Sequence, residues 1–103
     1  DNILRGGGGS DVITGLGGND RLFGGADADI FDFGNQHGRD TVEDFVQGVD
    51  MIYLDQWLPK IGFQTILDHT HDTAQGAMIE FGRHSITIIG LDKAELAATD
   101  LHL

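Results

Sequence analysis

Residues 6–32 read GGGGSDVIT, GLGGNDRLF and GGADADIFD, three consecutive blocks of nine residues. Every block opens with glycine, carries Asp at its sixth position and a large apolar residue at its eighth. The Asp column contains Asp11, Asp20 and Asp29, and the apolar column contains Ile13, Leu22 and Phe31. The same spacing reaches back to Asn2 and Leu4. Self-similarity at a fixed short period predicts a repeat architecture.

Each block predicts a glycine-rich turn followed by a strand of three residues. The turn must visit positive φ, which glycine does without Cβ strain. In the strand, the central apolar side chain faces one way and its two neighbours face the other. A unit this small cannot bury its apolar residue alone, so we expect two blocks to form one coil and blocks two apart to stack as parallel strands.

This stacking places Asp11 directly above Asp29. Two carboxylates ~4 Å apart repel by ~4 kcal/mol at an effective dielectric constant of ~20, so a cation must lie between them. The glycine turns also leave backbone carbonyls pointing inward, and the repeats contain no His or Cys. Carboxylate and carbonyl oxygens together indicate a hard cation with many oxygen ligands, Ca²⁺ rather than Zn²⁺.

Over residues 1–32 the pattern resembles the RTX, or haemolysin-type, calcium-binding repeats. The resemblance implies an all-β fold, a right-handed parallel β-roll stabilised by calcium. It also implies one complete calcium site between two turns. The implied ligands are the carbonyls of Gly7 and Gly9, the carboxylate of Asp11, the carbonyls of Gly24 and Ala26, and the carboxylate of Asp29.

The resemblance implies two further, partial sites at the second turn. On one side the ligands are the carbonyls of Gly15 and Gly17 and the carboxylate of Asp20, with the other half in the turn before Asn2. On the other side they are the carbonyls of Leu16 and Gly18 and the carboxylate of Asp20, with Asp40 as the expected partner. The departures from the pattern are Asn2 for Asp, and Leu16 and Asp27 for glycine.

Residues 41–103 lose the period, and we expect them to form a mostly β cap with one or two short helices, continuous with the repeats of residues 1–40. The predicted strands are Thr41–Val46, Met51–Leu54, Ala77–Phe81, Ser85–Ile89 and Leu101–Leu103, with a hairpin at Gly82-Arg83-His84. The predicted helices are Ile61–Asp68 and Lys93–Ala97, the latter capped by Asp92, and Gln56–Lys60 is predicted to be a loop or a short helical turn. The segments 38–54 and 85–103 resemble the region that follows such repeats in type I-secreted proteases, lipases and polysaccharide-modifying enzymes, which implies a nearby C-terminal secretion signal.

Composition limits the partners. The chain has 17 acidic and 6 basic residues, a net charge of −11, which argues against nucleic acid and anionic membranes. No run of 18 apolar residues predicts a membrane span, no N-terminal signal pattern is present, and the absence of Cys excludes a disulfide. We expect a monomer that is a fragment of a larger protein.

Several motifs have competing interpretations. GGGGS at residues 6–10 looks like a flexible linker, but the nine-residue register runs through it. His69 and His71 are a possible transition-metal pair, although no third ligand is evident. Arg5 and Arg21 flank inward apolar residues and should project outward, where they offer a surface for an acidic polysaccharide.

The expected function is therefore that of a non-catalytic calcium-binding module. The resemblance implies a bacterial, secreted, extracellular protein in which the repeats fold on Ca²⁺ outside the cell and aid export of a parent enzyme by the type I secretion apparatus. The alternative is a polysaccharide-binding accessory module of a secreted lyase or epimerase.

Overall fold

The structure is a computed structural model that describes residues 3–15, 17–34, 38–54 and 61–102. It consists mainly of strands, as the all-β prediction requires. The strands are β1 (Ile3–Arg5), β2 (Val12–Gly15), β3 (Arg21–Phe23), β4 (Ile30–Phe33), β5 (Arg39–Val42), β6 (Met51–Tyr53), β7 (Thr70–Asp72), β8 (Gly76–Phe81), β9 (His84–Ile89) and β10 (Leu101–His102). One α-helix, α1 (Phe63–Asp68), and two single 3₁₀ turns, Lys93–Glu95 and Ala98–Asp100, complete the described elements.

Successive strands of the repeat region alternate between two sheets. One sheet has the order β1-β3-β5-β9-β8-β7, and the other has the order β10-β6-β4-β2. Strands two apart pair in parallel, with Leu4 opposite Leu22 and Ile13 opposite Phe31. Repeats two apart therefore stack in register, as the nine-residue period predicts.

The apolar column forms the inside of this arrangement. Leu22 and Phe31 are fully buried, Ile13 is nearly so, and Leu4 at the N-terminal end is only partly buried. Full burial of such a side chain contributes about 1.5–3 kcal/mol. Each nonapeptide supplies a single such residue, so the apolar core that stabilises the first coil is thin.

The larger part of the core lies in the C-terminal half. The buried residues there are Val42, Ile52, Leu54, Ile66, Ala77, Ile79, Ile86, Ile88, Leu91, Leu96 and Leu101. They come from β5 and β6, from β9 and β10, which pair with these strands in parallel, and from β8, α1 and the connecting segments beside them. Both sheets of the repeats thus continue without a break into the cap.

Most predicted cap elements are present. The β8–β9 pair is antiparallel with Phe81 opposite His84, so Gly82 and Arg83 form a two-residue turn, and Gly82 has the positive φ of 62° that such turns need. Strand β6, helix α1 and strand β10 fall within their predicted ranges. The predicted loop Gln56–Lys60 lies outside the described residues.

Two predictions for the cap were wrong in extent or type, and one strand was missed. The strand predicted at Thr41–Val46 is β5, Arg39–Val42, because the chain turns away after Val42 and pairing with β3 ends there. The helix predicted at Lys93–Ala97 is one 3₁₀ turn, Lys93–Glu95, in which the Glu95 carboxylate accepts the Asp92 N–H at 2.9 Å. Strand β7 was not predicted, because its polar residues gave no apolar alternation; it is an edge strand paired only with β8.

Candidate metal centre

The turns of the first and third repeats lie directly against each other. Gly25 has φ +85°, and a Cβ added to it would overlap the Gly7 carbonyl oxygen. Both features require glycine here, since an L side chain is strained at this φ and has no room. The Gly7 carbonyl therefore points from the turn of residues 6–11 toward the turn of residues 24–29.

The Asp residues form two hydrogen-bonded columns along the stack. In one column, the Asp11 N–H donates to Asp29 Oδ1 and the Asp29 N–H donates to Asp50 Oδ1, each at 2.9 Å. In the other, the Asp20 N–H donates to Asp40 Oδ1 at 2.9 Å. Each lower carboxylate thus has one oxygen held in register with the Asp above it.

The remaining oxygens of Asp11 and Asp29 are the notable feature of the first column. Asp11 Oδ2 and Asp29 Oδ2 are buried atoms with no hydrogen-bond partner in the part of the chain that the structure describes. Asp29 as a whole is only 1% exposed. Leaving a charged oxygen buried and unpaired costs at least about 1–3 kcal/mol, so both atoms need a cation.

Other oxygens surround the same space. An ideal Cβ built on Gly6 would lie 2.7 Å from Asp11 Oδ2 and 2.8 Å from the Gly24 carbonyl oxygen. The carboxylate oxygen and the carbonyl oxygen of the next coil therefore border the same small space, here called the cradle. Among the described residues no three His, Cys, Asp or Glu side chains converge. Asp29 Oδ2 lies in its own turn, 2.5 Å from an ideal Cβ on Gly24. The cradle beside Gly6 is thus lined by the Asp11 carboxylate and the Gly24 carbonyl, an all-oxygen set that fits Ca²⁺.

Residues 1–31 match the family model of the RTX calcium-binding nonapeptide repeat, in four copies. These residues are RTX calcium-binding repeats. The cation that fits the cradle is accordingly Ca²⁺, as the sequence predicted. A comparison of the chain with curated proteins gives no match. The family match ends at residue 31, so the resemblance of the cap to secretion-associated segments stays a prediction.

The structure brings together the main residues predicted for the complete RTX site. The Asp11 N–H donates to Asp29 Oδ1, Asp11 Oδ2 and the Gly24 carbonyl oxygen lie beside Gly6, and the Gly7 carbonyl oxygen lies against Gly25. Gly9 lies in the upper turn, where its N–H donates to Asp27 Oδ2 at 3.2 Å. Ala26 lies in the lower turn beside Asp27. The full ligand set remains a prediction from the repeat pattern.

Around the second RTX turn the placement is similar. Asp20 and Asp40 are 2% and 1% exposed, and a Cβ on Gly38 would overlap the Gly18 carbonyl oxygen. Asp40 thus lies beneath Asp20, where the partial site requires it. Gly15 ends β2 and Gly17 follows in an exposed bend, whereas Leu16 lies outside the described residues. The ligand roles of these residues also stay predictions.

Sequence analysis missed the carboxylates that close the lower end of the RTX stack. Asp50 accepts the N–H groups of Asp29 and Val46, both at 2.9 Å, and Asp44 accepts those of Gly24 and Gly25. A signal for Asp50 exists in the sequence. It precedes the buried Ile52 by two residues, the same offset that separates Asp from the apolar residue in every repeat.

The outward face of the RTX strands carries three arginines. The guanidinium carbons of Arg5 and Arg21 lie 4.6 and 5.7 Å from the centroid of the Phe23 ring. Arg21 also forms an ion pair with Glu43, with its Nε 3.0 Å from Glu43 Oε2.

Arg39, on the same sheet, pairs with Glu80, with the Arg39 Nη1 atom 2.6 Å from Glu80 Oε2. This hydrogen bond, helped by the charges of Arg39 and His71, lowers the pKa of Glu80 below its ordinary value of 4.5, although desolvation acts in the opposite direction. The pair links the repeat strand β5 to the hairpin strand β8.

The competing metal hypothesis has no support from the placement of the histidines. The His69 ring stacks on the Phe81 ring, with centroids 4.1 Å apart, and His71 lies opposite Met78 in the β7–β8 pair.

No helix in the described part of the chain is long and apolar enough to cross a membrane.

Proposed function

We propose that this chain is a calcium-dependent folding module, in which the RTX repeats become a right-handed parallel β-roll when Ca²⁺ binds outside the cell. The observation that supports it most directly is the pair of buried, unpartnered oxygens, Asp11 Oδ2 and Asp29 Oδ2. The two carboxylates stand one above the other in the same column, so their charges repel unless a cation offsets them. When bound, Ca²⁺ supplies the positive charge that these two carboxylates and the neighbouring carbonyls lack.

The distribution of apolar burial supports the same dependence. Among the described residues of the first coil, Leu4 and Ile13 are the ones that contribute to the inside, and neither is fully buried. The glycine-rich turns lose much backbone entropy on folding, about 1–2 kcal/mol per residue or more. The first two repeats therefore cannot be stabilised by their apolar contacts alone, and metal binding is the available compensation.

A binding constant typical of extracellular modules, ~10⁻⁴–10⁻³ M, suits this role. Such a site is empty where free Ca²⁺ is scarce and filled where it is millimolar. Each site then stabilises the folded chain by ~1.4 kcal/mol at a tenfold excess of calcium over the dissociation constant. We propose that the chain is exported loosely folded by a bacterial type I apparatus and folds on arrival, stabilising a parent exoprotein without catalysing a reaction itself.

Circular dichroism tests the folding role. We expect a coil-like spectrum for the repeats in excess chelator and a β spectrum in millimolar Ca²⁺, with the midpoint shifted to higher calcium by Asp11→Asn. The control is Asp68→Asn, which removes the same charge from an exposed helix position while leaving an oxygen for its contact with Gln64. A spectrum that does not change between chelator and millimolar calcium would exclude calcium-dependent folding.

Binding of an acidic polysaccharide is the weaker candidate. The outward arginines are engaged within the chain, since Arg21 pairs with Glu43 and Arg39 pairs with Glu80. On the same face, exposed Arg5 lies over the partly buried Phe23 ring. Backbone chemical-shift changes on this face during an alginate or pectate titration would support the polysaccharide role, and their absence would leave the folding role.

A further inference from the structure

Asp44 makes an unusual contact with the backbone of the third RTX turn. Its Oδ1 accepts the Gly24 N–H at 2.8 Å and its Oδ2 accepts the Gly25 N–H at 2.9 Å. Both oxygens of one carboxylate are thus used by two consecutive amides, about one coil earlier in the chain. Asp44 lies just past the end of β5, where the nine-residue pattern has already ended.

The geometry of the peptide unit connects this contact to the calcium cradle. The Gly25 N–H and the Gly24 C=O belong to one planar trans peptide, so they point in opposite directions. With Asp44 holding the N–H from one side, the carbonyl oxygen must face the other side. That oxygen does lie in the cradle, 2.8 Å from the position of a Cβ on Gly6, which is itself 2.7 Å from Asp11 Oδ2.

The charge of Asp44 acts in the same direction as its geometry. A hydrogen bond from an amide to a carboxylate is stronger than a neutral one and polarises the peptide, which makes its carbonyl oxygen more negative. A more negative Gly24 oxygen is a better ligand for a hard cation. Asp44 itself already has both oxygens engaged by N–H groups and does not need the cation.

We propose that Asp44 is a positioning residue for the calcium site between Asp11 and Asp29. It orients and polarises the Gly24 carbonyl from below, at the place where a further repeat would otherwise support the turn. The proposal rests on the calcium-binding function of that site. A residue outside the matched repeats thus directly affects how tightly the last complete pair of turns binds calcium.

The test is a residue-resolved NMR calcium titration of Asp44→Asn beside the wild-type chain. An Asn side chain accepts only one of the two amide hydrogens and presents its own NH₂ to the other. Because hydrogen bonds to a charged group are worth ~1.5–3 kcal/mol, we expect calcium to bind about tenfold or more weakly at Asp11 and Asp29. The amides of Asp20 and Asp40 should titrate within about twofold of wild type. A general destabilisation of the fold would instead weaken calcium binding at both columns equally.

Two controls complete the design. Asp68→Asn removes the same charge at an exposed helix position and should titrate as wild type at both columns. Asp44→Glu keeps both acceptor oxygens on a longer side chain and should recover part of the lost affinity, and it decides the outcome if Asp44→Asn does not fold in saturating calcium. Equal weakening of both columns, or no weakening, would overturn the positioning role. Failure of the wild-type chain to bind calcium at Asp11 and Asp29 would instead overturn the proposed function.

Discussion

Substituting Gly6 with Ala fills the calcium cradle with a single methyl group. The new Cβ would lie 2.7 Å from Asp11 Oδ2 and 2.8 Å from the Gly24 oxygen, against an ordinary contact of 3.4 Å or more. The two oxygens must therefore retreat by about 0.6 Å. Calcium–oxygen distances span only ~2.3–2.6 Å, so a displacement of that size exceeds the whole tolerated range.

The expected cost follows from overpacking in a closely packed site. Inserting a methyl group into such a site costs about 1–3 kcal/mol, which corresponds to a calcium affinity ~5- to ~150-fold lower. Isothermal titration calorimetry, or competition with a chromophoric chelator, measures the change. The affected event is binding between the turns of residues 6–11 and 24–29, and the Asp20 column should be affected much less.

Gly8→Ala is the matched control for this prediction. Gly8 is in the same turn, outside the left-handed region, and a Cβ on it would meet no atom within 4 Å. Both substitutions restrict the unfolded chain by a similar amount, ~0.4–1 kcal/mol, so the difference between them isolates the cradle. If Gly6→Ala binds calcium as tightly as Gly8→Ala, the cradle beside Gly6 is not the metal site.

Two further predictions concern the turns and the ion pairs. Asp27 has φ 69° where the repeat pattern has glycine, and its carboxylate accepts the Gly9 N–H. Thermal unfolding in calcium should show Asp27→Ala less stable than Asp27→Gly by about 1 kcal/mol. Equal stabilities of the two variants would contradict a strained backbone at this position. For Glu80, the lowered pKa means that the pair with Arg39 contributes stability above pH 4.5 and loses it as the pH falls through the lower, folded-state pKa. Melting curves of wild type and Glu80→Gln should therefore converge below pH 4.5, and a difference that persists or grows in acid would refute this sign.

The repeat region was predictable in detail because one period fixes its strands, its turns and its register. Leu4 pairs with Leu22 and Ile13 with Phe31, and the Asp11 N–H meets the carboxylate of Asp29, 18 residues later. The local sequence is enough to predict this region, since glycine marks each turn, Asp marks the stacked column and the apolar residue marks the buried strand position.

Beyond the repeats, the columns continue while the period does not. The Asp20 N–H meets the carboxylate of Asp40 after 20 residues, and the Asp29 N–H meets that of Asp50 after 21. Both spacings exceed the 18 residues that separate Asp11 from Asp29, so a search for a fixed nine-residue period does not find them. The offset of two residues from Asp to the buried apolar residue survives in Asp50 and Ile52. A search for this offset alone would have extended the stack.

The contacts of Asp44 could not be predicted from local pattern. Nothing in the residues around Asp44 indicates that its carboxylate reaches two amides in a turn about 20 residues earlier. Strand β7 was missed for a related reason, because an edge strand of polar residues is defined by its partner β8 rather than by its own alternation. Both features are tertiary, and both lie where the repeats give way to the cap.

The most direct test of calcium binding in the RTX repeats is a crystal structure grown in millimolar Ca²⁺, with anomalous diffraction recorded at long wavelength. We expect an anomalous peak between Asp11 and Asp29, with carboxylate oxygens of both residues and the carbonyl oxygens of Gly7 and Gly24 at ~2.3–2.6 Å from it. Stacked turns with no peak between these two carboxylates would contradict the assignment.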